Sequence, residues 1–261
     1  MTGAGERVLT VTSADGVTEI TLDRPARRNA LNAALRDQLV DAVRAFDADP
    51  TARVAVVTGR DPAFCAGVDL DELSRTGVRF DSGPTFEQVL RATTKPLVGA
   101  VNGAAVTGGL ELALSLDFLL ASDRASFGDT HSRVGVIAGG GLTVLLVHAV
   151  GIRMARQMSF TGALMDAGTA LRAGLVNEVV PHEQLLPRAR EVAAQIADTD
   201  PALVAAHRAA YWRAVNLPAD DALAAERREA SRQPATGAVI AAQRDAVVGR
   251  GHASSSEGGA E

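Results

Sequence analysis

Three short apolar runs constrain this chain more than any other feature: "ARVAVVTG" at 52–59, "KPLVGAVNG" at 95–103 and "DFLLAS" at 117–122. The first two are bounded by breakers, Asp49-Pro50 and Gly59 for one, Pro96 and Asn102-Gly103 for the other. Runs of this length and composition read as buried strands. Helical patterns lie between them. Leu35, Leu39, Val43 and Phe46 recur at spacings of four and three from Asn32 onward, an amphipathic helix, and "GGLELALSL" at 108–116 has helical composition. Strands that alternate with helices predict an α/β architecture with parallel pairing inside.

The two ends of the chain read differently. "RVLTVTS" and "VTEITLD" predict a β-hairpin over 7–22, with turn chemistry at Ala14-Asp15-Gly16. After about residue 140 the strand signals fade, and "VVP" at 179–181 is the last. Four helices are expected at 184–198, 201–216, 219–232 and 235–249, parted by Pro or Asp-Pro breaks. The expected organisation is a core over 1–198, a helical region over 199–250 that packs on the body or on another subunit, and a disordered tail over 251–261. Residues 74–87, rich in Gly, Pro and polar side chains, are a candidate mobile loop. No sequence repeat is evident.

Composition excludes several function classes. Aromatic residues make up 3% and the net charge is −5, so neither a base-stacking platform nor a basic phosphate-tracking surface is expected. Cys65 is the sole cysteine, which rules out an internal disulfide and suits the cytoplasm. The N-terminus lacks the pattern of a signal peptide, and no apolar run reaches the ~18–20 residues of a membrane span. The histidines at 131, 148, 182, 207 and 252 fall in no metal-binding spacing, so no metal is expected.

Two glycine-bearing turns follow strands, where α/β sheets place ligands: "DPAFCAGVDL" at 61–70 and "AVNGAAVTGGLELAL" at 100–114. Neither is a dinucleotide or P-loop motif. Gly108 and Gly109 open a helix, so their N–H groups lack intrahelical partners and can stabilise an oxyanion. Glu111, one turn in, is a candidate general base or acid. The alternative is that the glycines permit tight packing and Glu111 simply favours the helix N-terminus. A third stretch, "SFGDTHSRVGVIAGGG" at 126–141, sets Asp129 and His131 two apart. In an extended chain they share a face, so Asp129 orients the imidazole.

"LDRPARRNALN", "AFCAGVDL", "KPLVGAVNGAAVTGGLELALSLDFLLAS", "FG…VGVIAGGG" and "FTGALMDAGTALRAGLVNEVV" occur in order and at fitting separations. In these motifs, over about residues 7–250, the chain resembles the crotonase superfamily, the enoyl-CoA hydratase/isomerase family. The resemblance implies a spiral of ββα units with a helical C-terminal trimerisation region, assembled as a homotrimer or a dimer of trimers. It implies an acyl-CoA thioester substrate and no cofactor beyond the CoA that the substrate carries. By motif position the thioester oxygen would be held by the N–H groups of Val68 and Gly108. Arg24, Ala26 and Arg27, with Ala63, Phe64 and Ala66, would line the adenosine end of CoA. Gly67, Asp69, Leu70, Gly109 and Asp129 would complete the substrate-binding wall.

Glu111 matches the first of two glutamates that hydratases of this family use. The second is replaced here by His131, a departure from the pattern. Hydration needs a base for water and an acid for the α-carbon, and histidine can supply either near neutral pH. His131 would be that partner, or it would line the pocket of an isomerase with a single base. The readings are therefore an enoyl-CoA hydratase, a Δ3,Δ2-enoyl-CoA isomerase or related enolate enzyme, and an acyl-CoA-binding protein with little turnover. Around these residues, Asp69 is expected to cap the helix "LDELSRT", and Cys65 to pack near its turn. His148 reads as a core or interface histidine, His182 and His207 as surface positions, and Tyr211 and Trp212 as packing or trimer anchors. Arg244 is a weak candidate for the CoA phosphates.

Overall fold

A computed structural model describes residues 7–77, 85–232 and 244. The hairpin forms as β1 (Leu9–Ala14) and β2 (Val17–Leu22), paired antiparallel. Asp15 and Gly16 both take positive φ, 51° and 80°. That two-residue turn matches the twist of its strands, which is why an Asp-Gly pair closes it. Asn32 then caps α1 (Ala33–Ala48) by accepting a hydrogen bond from the Leu35 N–H, and Leu35, Leu39, Val43 and Phe46 are its buried stripe. Burying each such side chain is worth about 1.5–3 kcal/mol.

From here the chain repeats one unit three times. β3 (Val54–Gly59) is followed by β4 (Ala63–Cys65) and α2 (Leu70–Thr76). After α3 (Phe86–Ala92) come β5 (Leu97–Val101), β6 (Ala104–Val106) and α4 (Gly108–Leu114). Next are β7 (Phe118–Ser122), β8 (Ser126–Gly128), the one-turn α5 (His131–Val134) and the long α6 (Leu142–Thr161). The first strand of each unit joins one sheet and the second joins another. β3, β5 and β7 are parallel neighbours, and so are β4, β6 and β8. This is a ββα spiral that advances by one strand per turn.

The larger sheet has the order β1-β2-β3-β5-β7-β10, ending on β10 (Glu178–Val180). The smaller, β4-β6-β8-β9, closes with the antiparallel β9 (Met165–Asp166). β3 and β5 are buried along their whole length, as parallel strands covered on both faces must be. One face of the larger sheet meets the main core. The other packs Val54, Val56, Val98, Ala100 and Leu120 against Leu185, Ala189 and Ala193 of α8 (Leu185–Ala197). Between β9 and β10 lies α7 (Ala167–Ala173).

Two further helices follow, α9 (Pro201–Ala214) and α10 (Ala219–Arg232). The helix expected at 235–249 and the tail at 251–261 lie outside the described residues, apart from Arg244. Contacts divide the chain into two compact units, Met1–Trp212 and Arg213–Glu261. Arg208 carries the first part of α9 into the larger unit. Its buried guanidinium donates to Asp117 and to the carbonyls of Leu90, Arg91 and Thr93, and Trp212 also donates to Asp117. The candidate loop at 74–87 is shorter than expected. Its first residues finish α2, and Thr85 caps α3 through a reciprocal box with Gln88. Residues 78–84 lie outside the described set.

Candidate active site

Three consecutive turns build the site, each leaving one of the parallel strands β4, β6 and β8. The turn after β4 carries Ala66, Gly67, Val68 and Asp69. Gly67 has φ +92° and presses its α-carbon against Thr107, so a side chain there would strike the Thr107 hydroxyl and the Val106 carbonyl. The turn after β6 is Thr107, at φ 52°, a costly conformation for a β-branched residue. It turns the chain directly into α4. A β-carbon at Gly108 would lie 3.4 Å from the Val68 nitrogen, and one at Gly109 only 2.7 Å from the Cys65 carbonyl carbon. Glycine at both positions lets the first two turns close on each other. Among the described residues neither the Val68 N–H nor the Gly108 N–H donates a hydrogen bond. Two backbone donors thus lie side by side.

Glu111 stands one turn into α4 and is buried. Its Oε1 accepts a hydrogen bond of 2.7 Å from the Gly140 N–H. Burial raises the carboxyl above the usual carboxylate range, the Gly140 N–H opposes this, the charge of Glu87 adds to it, and the net direction is upward. Its Oε2 faces His131 Nε2 at 3.8 Å.

The turn after β8 corrects the expectation for Asp129 and His131. They do not share a strand face, because β8 ends at Gly128 and His131 opens α5. The short Asp129 side chain folds over its own backbone instead, as aspartates do in turns. Its Oδ1 accepts from the His131 N–H at 3.1 Å and from the ring Nδ1–H at 2.6 Å. The orienting contact is therefore made, by a turn rather than a strand. Burial would lower the imidazole, but the Asp129 hydrogen bond and the Glu111 charge outweigh it and hold His131 above its ordinary value. Burial likewise opposes, and hydrogen bonds from His131 and Ser159 reverse, so Asp129 stays below the usual carboxylate range.

The remaining expected residues divide. Arg24 and Arg27 line a cavity of about 420 Å³ with Asp69, Asp71, Glu72 and Arg75. Arg24 pairs with Asp69 at 3.1 Å and Arg27 with Asp71 at 2.7 Å, so the groove holds its arginines on carboxylates. Ala26 is exposed beside them, as is Leu70 at 57%. Asp69 also caps α2 as expected, accepting from the N–H groups of Asp71 and Glu72. Ala63 and Phe64 do not line this groove. Both are buried in β4, Phe64 with 0% exposure, and only the Ala66 end of that segment reaches the surface. Cys65 is buried and inert, its thiol pushed up to about 12 by desolvation.

Other histidines differ from expectation. Of the two readings of His148 the core is ruled out, because the residue is exposed in this chain, and the interface reading stands; His207 lies on the surface as expected. His182 is largely buried. It bridges Ser122 and Asp61 at 3.0 Å each, a structural link between strand ends.

Sequence reasoning passed over three residues that shape the site. Asn29, buried at positive φ, accepts from the Arg24 N–H and donates to the carbonyls of Arg60 and Ala63, which pins the arginine loop to β4. Arg91 donates to the Gly140 carbonyl at 3.0 Å and so holds the residue whose N–H contacts Glu111. Glu87, one turn before it on α3, is buried beside the same glycine. The only sequence signal for Glu87 and Arg91 is placement beside Phe86 and Leu90, the core face of a short helix.

Residues 12–240 match the family model described as enoyl-CoA hydratase/isomerase. A probable enoyl-CoA hydratase of Rhizobium meliloti is 40% identical over 215 residues, covering 80% of this chain and 82% of the relative. The 2,3-dehydroadipyl-CoA hydratase of Escherichia coli is 37% identical over 212 residues, covering 80% and 83%. Among solved structures, an enoyl-CoA hydratase from Mycobacterium tuberculosis superposes with a TM-score of 0.75 at 47% identity, covering 86% of this chain and 96% of that one. With its ββα spiral and this match over most of its length, the chain belongs to the enoyl-CoA hydratase/isomerase family, the crotonase superfamily.

Proposed function

We propose that the protein is an enoyl-CoA hydratase that adds water across the double bond of a 2-enoyl-CoA, with Glu111 as base and His131 as acid. The observation that carries this reading is the facing pair itself, Glu111 Oε2 and His131 Nε2 at 3.8 Å, beside two unengaged backbone donors. Glu111 takes a proton from water as its oxygen bonds to C3. The π electrons move toward the thioester, and the enolate oxygen forms between the N–H groups of Val68 and Gly108. Donors fixed in the backbone need no reorganisation, and each is worth ~3–4 kcal/mol to such an oxyanion. The His131 imidazolium then gives its Nε2 proton to C2. Transfer of the proton from Glu111 to His131 restores both groups.

The assignment of roles follows from electrostatics. Asp129 and Glu111 both favour the charged imidazole, which suits an acid. Burial makes Glu111 a stronger base than an ordinary carboxylate, which suits water activation. Arg24, Ala26, Arg27, Ala66, Gly67, Asp69, Leu70 and Gly109 belong to the CoA-binding side of this reading, and no cofactor takes part in it. The protein acts as a homotrimer or a dimer of trimers in the cytoplasm, with 199–250 as the trimerisation region. Ile137, Phe160 and Leu164, at 86%, 78% and 58% exposure, support burial against other copies. Among the described residues no helix is long and apolar enough to cross a membrane.

The test is hydration of crotonyl-CoA by the purified protein, followed as loss of the enoyl thioester absorbance. Turnover that disappears in Glu111→Gln is expected. Conversion of a 3-enoyl-CoA without hydration would replace the reading with an isomerase, and tight thioester binding without either turnover with a binding protein.

A further inference from the structure

Glu87 is a buried acid that the reaction above does not use. It is 4% exposed, and its neighbours Phe86 and Leu90 are core residues. Its carboxylate accepts no hydrogen bond and closes no ion pair within 4 Å among the described residues. No fully covered side-chain oxygen lacks a partner among them, so the little surface Glu87 keeps includes its carboxylate oxygens. A carboxylate held this way costs stability, because burial removes water and supplies no full replacement. A structural acid would be satisfied, as Asp117 is by Arg208 and Trp212.

Its position gives the reason. A methyl group at Gly140 would overlap Glu87 Oε1, and would lie 2.7 Å from the Glu87 carboxyl carbon and 2.9 Å from that of Glu111. The two carboxyl groups therefore converge on one glycine. Its N–H is donated to Glu111 and its carbonyl is held by Arg91. We propose that Glu87 is a positioning residue of the active site, a second carboxylate that acts on Glu111 across Gly140 rather than on the substrate. The inference rests on the role given to Glu111 above.

A negative charge on Glu87 disfavours a second one on Glu111 and makes Glu111 the stronger base. The charged groups that face Glu111 are Glu87 and Arg91 from α3 and His131 from α5, with Asp129 behind the imidazole; α6 meets it with the Leu142 N–H. Glu87 is the one negative charge in direct play, and Arg91 and His131 pull the other way. His131 offers Glu111 no like charge, and Glu87 supplies one from behind.

The test is Glu87→Gln, which removes the charge and keeps the shape. The acid limb of kcat/KM for crotonyl-CoA hydration should move to lower pH, so that activity on the acid side rises several-fold relative to the variant's own plateau, with KM little changed. Glu87→Asp should restore the limb. A purely structural role would lower stability or rate at every pH and leave the limb where it was. In parallel, the Glu111 carboxyl is titrated by NMR in protein labelled with [5-13C]glutamate, its signal assigned by its absence in Glu111→Gln. That signal should titrate at lower pH in Glu87→Gln, and an unmoved titration overturns the proposal. Absence of hydration by wild type, or hydration by Glu111→Gln, would overturn the proposed function instead, while the NMR titration still decides the role of Glu87. Should Glu87→Gln fail to fold, Glu87→Met carries the same readouts.

Discussion

The turn leaving β6 runs straight into a buried helix, whereas the turn leaving β8 makes a single helical turn before the chain moves on to α6. The two strands are parallel neighbours, so the turns deliver Glu111 and His131 to one place by unlike means. α4 is buried over six of its seven residues and packs its glycines onto the β4 turn. Glu111 is therefore fixed by covalent geometry and packing. α5 buries only His131 of its four residues, and the imidazole is fixed by one aspartate. The first wall is held by sterics and the second by electrostatics. The first should respond to shape changes and the second to charge and pH.

The largest effect expected is from Glu111→Gln. The amide keeps the shape and can still meet the Gly140 N–H through its oxygen, but it cannot take a proton from water. Loss of kcat by about 10³-fold or more, with KM near wild type, is expected in steady-state hydration assays. A loss below tenfold would mean that Glu111 only lines the site.

A pair of glycine substitutions separates the two walls by stability. At Gly109 a β-carbon would lie 2.7 Å from the Cys65 carbonyl carbon and 2.9 Å from the Cys65 β-carbon, with the carbonyl oxygen nearer still. Neither α4 nor β4 can give way, so Gly109→Ala should cost about 3 kcal/mol in urea unfolding. Gly135, which ends α5 at φ +79°, has nothing within 4 Å of the same point. Gly135→Ala meets only the left-handed backbone penalty of about 1 kcal/mol. Equal costs would break the contrast between a packed and an open wall.

The same contrast decides what was legible in the sequence. The larger sheet was readable because β3, β5 and β7 are five or six residues long and mostly apolar, the first two bounded by breakers. The smaller sheet was not. β4 and β6 have three residues each, too short for any period to register, and they read as parts of glycine turns. The spiral repeat is hidden for the same reason, since half of each unit leaves no pattern. Gly108 and Glu111 stood out because a helix start after a strand has its own signature. Asp129 and His131 were found as a pair with the wrong backbone, because a spacing of two serves both a strand face and an aspartate turn. Glu87 and Arg91 meet Gly140, and Asn29 meets Ala63, across 34 residues or more of sequence, and such contacts follow only from topology.

Removal of the imidazole should matter less than removal of the carboxylate. His131→Ala leaves water in the cavity as a poor acid, and kcat should fall by about 10- to 100-fold at neutral pH. The alkaline limb of the pH profile should vanish with the ring. A limb that persists in His131→Ala would assign the proton at C2 to another group.

The smallest effect is the one that probes the electrostatic wall directly. Asp129→Asn keeps a side chain in the turn but removes the charge that holds the imidazole above its ordinary value. Activity that needs the imidazolium fails as pH rises through that value, so the variant's alkaline limb should move to lower pH. Stability changes with it. Because His131 binds its proton more tightly when folded, its contribution is fully present below about pH 6.5 and is lost as pH rises through the folded value. Asp129 has the opposite sign. Its folded value is lowered, so its contribution is present above about pH 4 and is lost as pH falls through the lower folded value. Asp129→Asn removes the second and weakens the first, and the denaturation midpoint plotted against pH should flatten at both ends. Glu111 continues to favour the charged ring from its far side, which keeps the kinetic change a shift of the limb rather than a loss of rate. If the alkaline limb stays in place while the stability curve flattens, Asp129 stabilises the turn alone, and the tuning of His131 falls to Glu111.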